Sequence, residues 1–265
     1  MAFKKEKLLR FLSSIIDNDR YKSQFQNILD TLSLTKQEVV DSFLHYNLDM
    51  LNKEGNEVYR PLPNRAVLYI HNLVNGSWHI DRQQTILDLI KQAEPSNMID
   101  IGFGVPSKYV QDYVIPQRKK LVFCDLYESA FDFAKALLPH WDDNWQDIVS
   151  FKQTNMDALE YVGDFDLYLI QDAIEHTKDP TAYLSMLVKK SPKISKFIVS
   201  LPIGPIFPRH YMAWQSDQEA LNWLAKCGLT IEQQKSVFVK PKVDLFADQI
   251  TSNYHDLYTL CSKQI

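Results

Sequence analysis

The sequence predicts an α/β protein in which a seven-stranded, mostly parallel sheet carries a helical cap at its N-terminus. Three observations point there. Up to about residue 94, apolar residues recur at helical spacing. From Met98 onward, short apolar runs alternate with helical segments, the texture of parallel strands joined by crossover helices. The first of those runs closes on Asp100-Ile101-Gly102-Phe103-Gly104, which holds two of the chain's 7 glycines. A strand ending in such a turn lets backbone N–H groups approach an anionic ligand. The run Leu121 to Cys124 then ends in Asp125, roughly 20 residues after the glycines, where nucleotide-binding folds hold ribose hydroxyls. The combination is Rossmann-like.

Leu8, Phe11, Leu12, Ile15 and Ile16 mark an amphipathic opening helix. Thr35-Lys36-Gln37-Glu38 is a capping-box pattern ahead of Val39, Val40, Phe43, Leu44 and Leu48. Asp81 is expected to cap a third helix through Ile86, Leu87, Leu89 and Ile90, which Pro95 ends. Residues 52–56 and the stretch Arg60-Pro61-Leu62-Pro63 read as loops. Strands are expected at Met98 to Ile101, Leu121 to Cys124, Val149 to Gln153, Leu167 to Ile170 and Phe197 to Leu201. Leu229 to Ile231, Val237 to Val239 and Asp256 to Cys261 read as closing strands. Ala130, Phe133, Ala134, Leu137 and Leu138 mark the helix after Asp125, and Tyr183, Leu184, Leu187 and Val188 the one after Asp179-Pro180. The expected division is a cap, residues 1–94, and a sheet domain, residues 95–265.

Composition narrows the function classes. An apolar content of 45%, a charged content of 23% and a net charge of -4 suit an ordinary globule and argue against broad binding to nucleic acid or anionic membrane. Cys124, Cys227 and Cys261 are far apart and show no metal-ligand spacing, so free thiols and no metal site are expected. Lys4, Lys5, Lys7 and Arg10 precede apolar residues, but Ser13-Ser14 and Asp17-Asn18-Asp19 interrupt any targeting segment. With no apolar run of bilayer length, the expected location is cytoplasmic.

Taken alone, the glycine pair could be only a strand-to-helix turn, and Asp125 only a helix N-cap. The ordered set Asp100-Ile-Gly-Phe-Gly104, Asp125, Asp157 and Phe165-Asp-Leu-Tyr-Leu-Ile-Gln-Asp-Ala-Ile-Glu-His176 resembles the class I S-adenosylmethionine-dependent methyltransferases over about residues 97–263. The resemblance implies that Asp100, Gly102 and Gly104 surround the methionine part of that cofactor. It implies that Asp125 takes the ribose hydroxyls, that Leu126 is a further cofactor contact, that Met156 and Asp157 meet the adenine, and that Gln171 lines the site beside the sulfonium. Where the family usually carries a third small residue, Val105-Pro106-Ser107 stands instead. The proline would be tolerated in the first turn of the next helix.

Methyl transfer needs an in-line approach of the acceptor and, at some stage, loss of a proton. Alignment can recover ~7–11 kcal/mol of barrier, while a general base adds about 10²–10⁴-fold. His210 is the favoured histidine, since Leu201-Pro-Ile-Gly-Pro205 leaves the fifth strand and leads to His210-Tyr-Met-Ala-Trp214. His176 is the second, although the resemblance also allows it a loop-supporting role. Trp214, Trp78 and His79 are candidate acceptor contacts, each with a bland alternative as packing between subdomains or in a homodimer interface. The expectation is transfer to an O or N atom of a small molecule. A protein or RNA acceptor would need a basic groove formed by Arg118, Lys119, Lys120, Lys189, Lys190 and Lys193. The remaining alternatives are a cofactor-binding homologue without turnover and an enzyme that transfers the cofactor's aminocarboxypropyl arm.

Overall fold

A computed structural model describes residues 5–48, 60–74, 76–206, 210–239 and 254–264. Seven strands form one sheet: β1 (Asn97–Ile101), β2 (Lys120–Asp125), β3 (Val149–Gln153), β4 (Leu167–Ile170), β5 (Lys196–Ile203), β6 (Leu229–Phe238) and β7 (His255–Lys263). Their order is β3-β2-β1-β4-β5-β7-β6. β7 runs antiparallel to both β5 and β6, and the other pairings are parallel. The strand order reverses beside β1, and ligands of open α/β sheets bind at the carboxyl ends of strands at such a point.

The strand period of two sorts β1 between two cores. Met98 joins Ile86 and Ile90, Tyr109, Val110 and Phe131 on one face. Ile99 and Ile101 point the other way, toward Tyr183, Leu184, Leu187, Trp223 and Leu224. Those partners come from α5 (Gly76–Ala93), α6 (Glu128–Leu137) and the short helical stretch holding Tyr109 and Val110 on the first face, and from α7 (Pro180–Lys190) and α8 (Asp217–Lys226) on the second. Asp179 caps α7, accepting from Ala182 N–H at 2.9 Å, with Pro180 in the first turn where no N–H is needed.

The N-terminal region is helical, as its periodicity indicates, but holds more helices than expected. α1 (Lys5–Ile16), α2 (Lys22–Leu32), α3 (Lys36–Leu48) and α4 (Leu62–Val74) enclose a third core of Leu8, Leu12, Ile15, Leu29, Phe43, Val67 and Ile70. The capping box forms: Thr35 N–H donates to Glu38 Oε2 at 2.7 Å, and Glu38 N–H to Thr35 Oγ1 at 3.2 Å. Three expectations are corrected here. The prolines near residue 60 open α4 instead of marking a loop, since Pro63 sits in a first turn whose N–H groups have no intrahelical partner. α5 begins at Gly76, so Asp81 lies inside it and is no cap. Leu229 to Ile231 and Val237 to Val239 are not two strands: β6 runs unbroken from Leu229 to Phe238, its polar middle lying on an exposed edge with an irregularity between Ile231 and Gln233.

α6 joins the layers. Ala130, Phe131 and Ala134 face the sheet, while Phe133 belongs to the helical core of the cap. The stretch after the glycine turn is short, helical from Lys108 and drawn into a π-helical turn at Val110–Val114. Pro106 lies ahead of that helix and not within its first turn. All three cysteines are buried and free. No helix among the described residues is long and apolar enough to cross a membrane.

Candidate functional site

At the end of β1 the backbone turns through Gly102 at φ +72° and Gly104 at φ +63°. Both lie in the left-handed region, which glycine enters without penalty. Gly102 has a second reason to lack a side chain, because a Cβ there would come within 2.6 Å of the Ala173 Cβ. Its N–H donates to Cys124 O at 2.7 Å, tying the turn to the end of β2.

Asp125, 7% exposed, sits beside this turn at the end of β2. Its Oδ1 accepts from Tyr127 N–H at 3.0 Å and from Arg65 Nη2 at 3.4 Å, and its Oδ2 accepts from Gly104 N–H at 3.2 Å. The N-cap of α6 is Tyr127, so Asp125 does not cap that helix. An ionised carboxylate offers about four acceptor positions; three are used, which leaves Oδ2 able to take one further donor. Arg65, 3% exposed, is the residue that sequence reasoning missed. It reaches from α4 to neutralise Asp125, donates from Nη1 to Gly104 O at 3.0 Å and from Nε to Ser129 Oγ at 3.4 Å.

Asp100 sits differently from expectation. It is 1% exposed and lies behind the cavity wall, not on it. Its Oδ2 accepts from Tyr109 Oη at 2.7 Å and from Gln171 Nε2 at 3.2 Å, whereas its Oδ1 is buried without a hydrogen bond. Burial pushes its carboxyl up to about 7, against the lowering effect of the two donors. Asp100 therefore acts on the site through Gln171, which does line the cavity.

Met156 and Asp157 occupy a 3₁₀ turn after β3, where Asn155 Oδ1 accepts from Asp157 N–H at 2.9 Å. Asp157 Oδ1 accepts from Lys178 N–H at 2.8 Å, pinning this turn to the segment ahead of α7. Leu126 is 42% exposed, an apolar side chain at the same rim.

A buried ionic network backs the other end. Arg82 of α5 pairs with Asp172 and with Asp256 (3.5 Å), and donates from Nε to Tyr258 Oη at 2.6 Å. Asp172 holds a left-handed backbone, φ 46°, and its N–H donates to Ser200 Oγ at 2.8 Å while its Oδ1 accepts from the same hydroxyl at 2.6 Å. Three residues on, Glu175 is 2% exposed, and burial pushes its carboxyl up to about 8. The His176 and His210 rings meet edge to face with centroids 4.8 Å apart.

Arg65, Leu68, Asn72, His79, Arg82 and Gln83 of the N-terminal helices close over Gly102, Gly104, Asp125, Leu126, Met156, Asp157, Gln171 and His176, enclosing a cavity of about 360 Å³. Burial pushes the His79 imidazole down to about 3, with Arg82 and His71 adding to the effect, so it is neutral near pH 7. The side chain of Trp78 lies outside the described residues. Trp214 corrects an expectation: fully buried, it packs against Trp223 at 4.8 Å between centroids in the core beneath the sheet, away from the cavity. Its ring follows from its backbone, which Gly204 N–H holds to the end of β5 through Trp214 O at 2.8 Å. Basic residues from the supposed groove are already engaged: Arg118 pairs with Asp142 and Asp147, and Lys120 Nζ donates to Asp147 O.

No protein-family model matches the chain. No curated protein matches it by sequence. Solved structures do match in fold. The magnesium protoporphyrin IX methyltransferase ChlM from Synechocystis PCC 6803, with bound SAH, is similar at TM-score 0.51 and 14% identity over 70% of this chain and 85% of its own. PigF with SAH matches at TM-score 0.57 and 12% identity over 96% of this chain and 73% of its own. The [4+2]-cyclase SpnF matches at TM-score 0.55 and 9% identity over 72% of this chain and 84% of its own. At these identities the likeness establishes a shared fold.

Proposed function

We propose that this chain, with the fold of the class I S-adenosylmethionine-dependent methyltransferases, binds S-adenosylmethionine and moves its methyl group to an O or N atom of a small-molecule acceptor. The observation that carries the reading is the cavity itself. Residues far apart in sequence, Gly102, Gly104, Asp125, Leu126, Met156, Asp157 and Gln171, line one wall, and the N-terminal helices line the other. Its volume, about 360 Å³, falls within the ~300–1,000 Å³ of small-molecule pockets. Two wall positions lack side chains where the backbone needs φ > 0, and Asp125 keeps an open acceptor position for a hydroxyl. These features fit the cofactor.

When bound, the cofactor supplies an electrophilic methyl group on a sulfonium. The chain's own part is alignment and exclusion of water. Gly102 and Gly104 let the backbone come close, while Arg65 fixes both the glycine turn and Asp125. Asn72 and neutral His79 stand on the acceptor side, and residues 1–94 act as the lid. His176 lines the same cavity and is the histidine placed to receive an acceptor proton or to hold the acceptor, while His210 packs against it edge to face without lining the cavity itself. The engaged basic residues support a small molecule over an RNA acceptor.

The test is calorimetric titration with S-adenosylmethionine and S-adenosylhomocysteine, with NAD as a control. Binding of the first two and not the third is expected, and absence of both overturns the proposal. A second reading, cofactor binding without methyl transfer, draws on the likeness to a cyclase. Accumulation of S-adenosylhomocysteine in an acceptor screen separates the two.

A further inference from the structure

The turn leaving β4 carries Glu175 and His176 in consecutive positions, and the chain leaving β5 brings His210 back to them. Tyr211 N–H donates to Glu175 O at 2.7 Å, which fastens the two segments together and sets His210 against His176. One ligand-capable atom from each of Glu175, His176 and His210 lies within 4.8 Å of the other two, and no other such trio occurs among the described residues. Independently of that grouping, Glu175 Oε2 is buried with no hydrogen bond. A buried carboxylate oxygen in that state is costly unless a cation or donor meets it.

We infer that Glu175, His176 and His210 form a binding site for a divalent transition-metal ion at the acceptor end of the cavity. Two imidazoles and one carboxylate suit Zn²⁺, Mn²⁺ or Fe²⁺, and they do not suit Mg²⁺ or Ca²⁺, which prefer oxygen ligands throughout. The spacing is compatible with ligation. Metal–ligand bonds of about 2.0–2.2 Å in a tetrahedral arrangement put donor atoms ~3.4 Å apart, so a trio within 4.8 Å closes with side-chain movements of roughly 1–1.5 Å. His176 lines the cavity whereas Glu175 and His210 do not. An ion held between them would thus have protein behind it and open coordination positions toward the cavity. Three protein ligands with an open position is the arrangement of sites that bind a substrate oxygen. The site therefore selects acceptors that present a hydroxyl or other oxygen. Ion binding does not rest on the methyl-transfer reading, and it replaces the sequence expectation of no metal.

The experiment uses the untagged full chain, stripped with EDTA and titrated separately with ZnCl₂ and MnCl₂ by calorimetry, without cofactor. One ion per chain is expected, with affinity falling at least 100-fold in His210→Ala and at least 10-fold in the near-isosteric Glu175→Gln. His140→Ala, which removes a histidine elsewhere on the surface, is expected to bind as the parent does. Thermal unfolding of the metal-free proteins identifies any variant that fails to fold, and the remaining variant then decides. Absence of stoichiometric binding in the parent overturns the inference, as does binding that survives substitution in a folded variant. S-adenosylhomocysteine titration on the same samples keeps this result separate from failure of the cofactor reading.

Discussion

Arg65 ties the N-terminal helices to Asp125, and replacing it with methionine tests whether this link organises the site. The pair is almost wholly buried, with side chains 4% and 8% exposed. Removing one partner of a buried ion pair costs about 3–5 kcal/mol, because the other charge is left uncompensated. Here the low end applies. The contact is long at 3.4 Å, and Asp125 keeps the N–H donors of Gly104 and Tyr127. Loss of the 3.0 Å bond from Arg65 to Gly104 O adds roughly 1 kcal/mol, so Arg65→Met is expected to lower stability by about 3–4 kcal/mol. The methionine retains much of the apolar stem, which keeps a cavity from dominating the loss. The assay is urea denaturation of Arg65→Met, Asp125→Asn and the double variant. Asp125→Asn removes the charge that Arg65 neutralises, so the double variant should be less destabilised than the sum of the singles by at least ~1.5 kcal/mol. Additivity within about 0.5 kcal/mol would refute the argument, since it would mean that Arg65 stabilises the protein without coupling to Asp125.

The two glycines make a contrasting pair. Gly102→Ala faces both a positive φ and the 2.6 Å approach to Ala173, for an expected loss of about 2–4 kcal/mol. Gly104→Ala would meet only side chains at 3.5 and 3.6 Å, so about 1–2 kcal/mol from backbone strain is expected; equal losses in thermal or urea unfolding would contradict the close-approach account. Asp100 gives a pH dependence whose sign follows from its raised value. The folded state holds the proton more tightly than the unfolded chain, so its contribution is fully present below about pH 4 and fades as pH rises through about 7. Asp100→Asn should therefore gain stability relative to the parent between pH 5 and 8 in urea titrations, and parallel profiles would remove Asp100 as the cause.

What the sequence revealed were features set by the backbone. Short apolar runs placed β1 to β5, and the scarcity of glycine marked a turn whose φ values only glycine enters freely. The capping box at Thr35 was equally visible, being a pair of local hydrogen bonds between near neighbours. Long-range side-chain links left no such trace. Arg65 and Arg82 meet Asp125 and Asp172 across 60 and 90 residues, and an arginine on a helix carries no mark of where its guanidinium goes. The hidden helices have a similar explanation. α2 shows only Phe25, Ile28 and Leu29 as buried apolar residues, and α4 opens on prolines that imitate a loop. Trp214 misled because segment position was taken for side-chain direction. Its segment does come near the site, since its neighbour Tyr211 is bonded to Glu175, but the indole turns under the sheet.

The break in the glycine pattern at Val105 has a physical reason in the same joint. Where a third small residue would leave the turn open, Val105 is 5% exposed and belongs to the core formed by α1 to α4, together with Phe133 of α6. The turn thus has two jobs on adjacent residues. Both line the cavity, and while Gly104 donates its N–H to Asp125, Val105 also packs in the core of the cap. Arg65 bridges both by bonding Gly104 O from α4. A glycine or alanine at 105 would withdraw apolar surface from the cap core at the point where the cap meets the turn, loosening the wall that closes the cavity. Val105 is therefore accounted for by anchoring of the cap, and it leaves the N–H and the left-handed backbone of Gly104 in place.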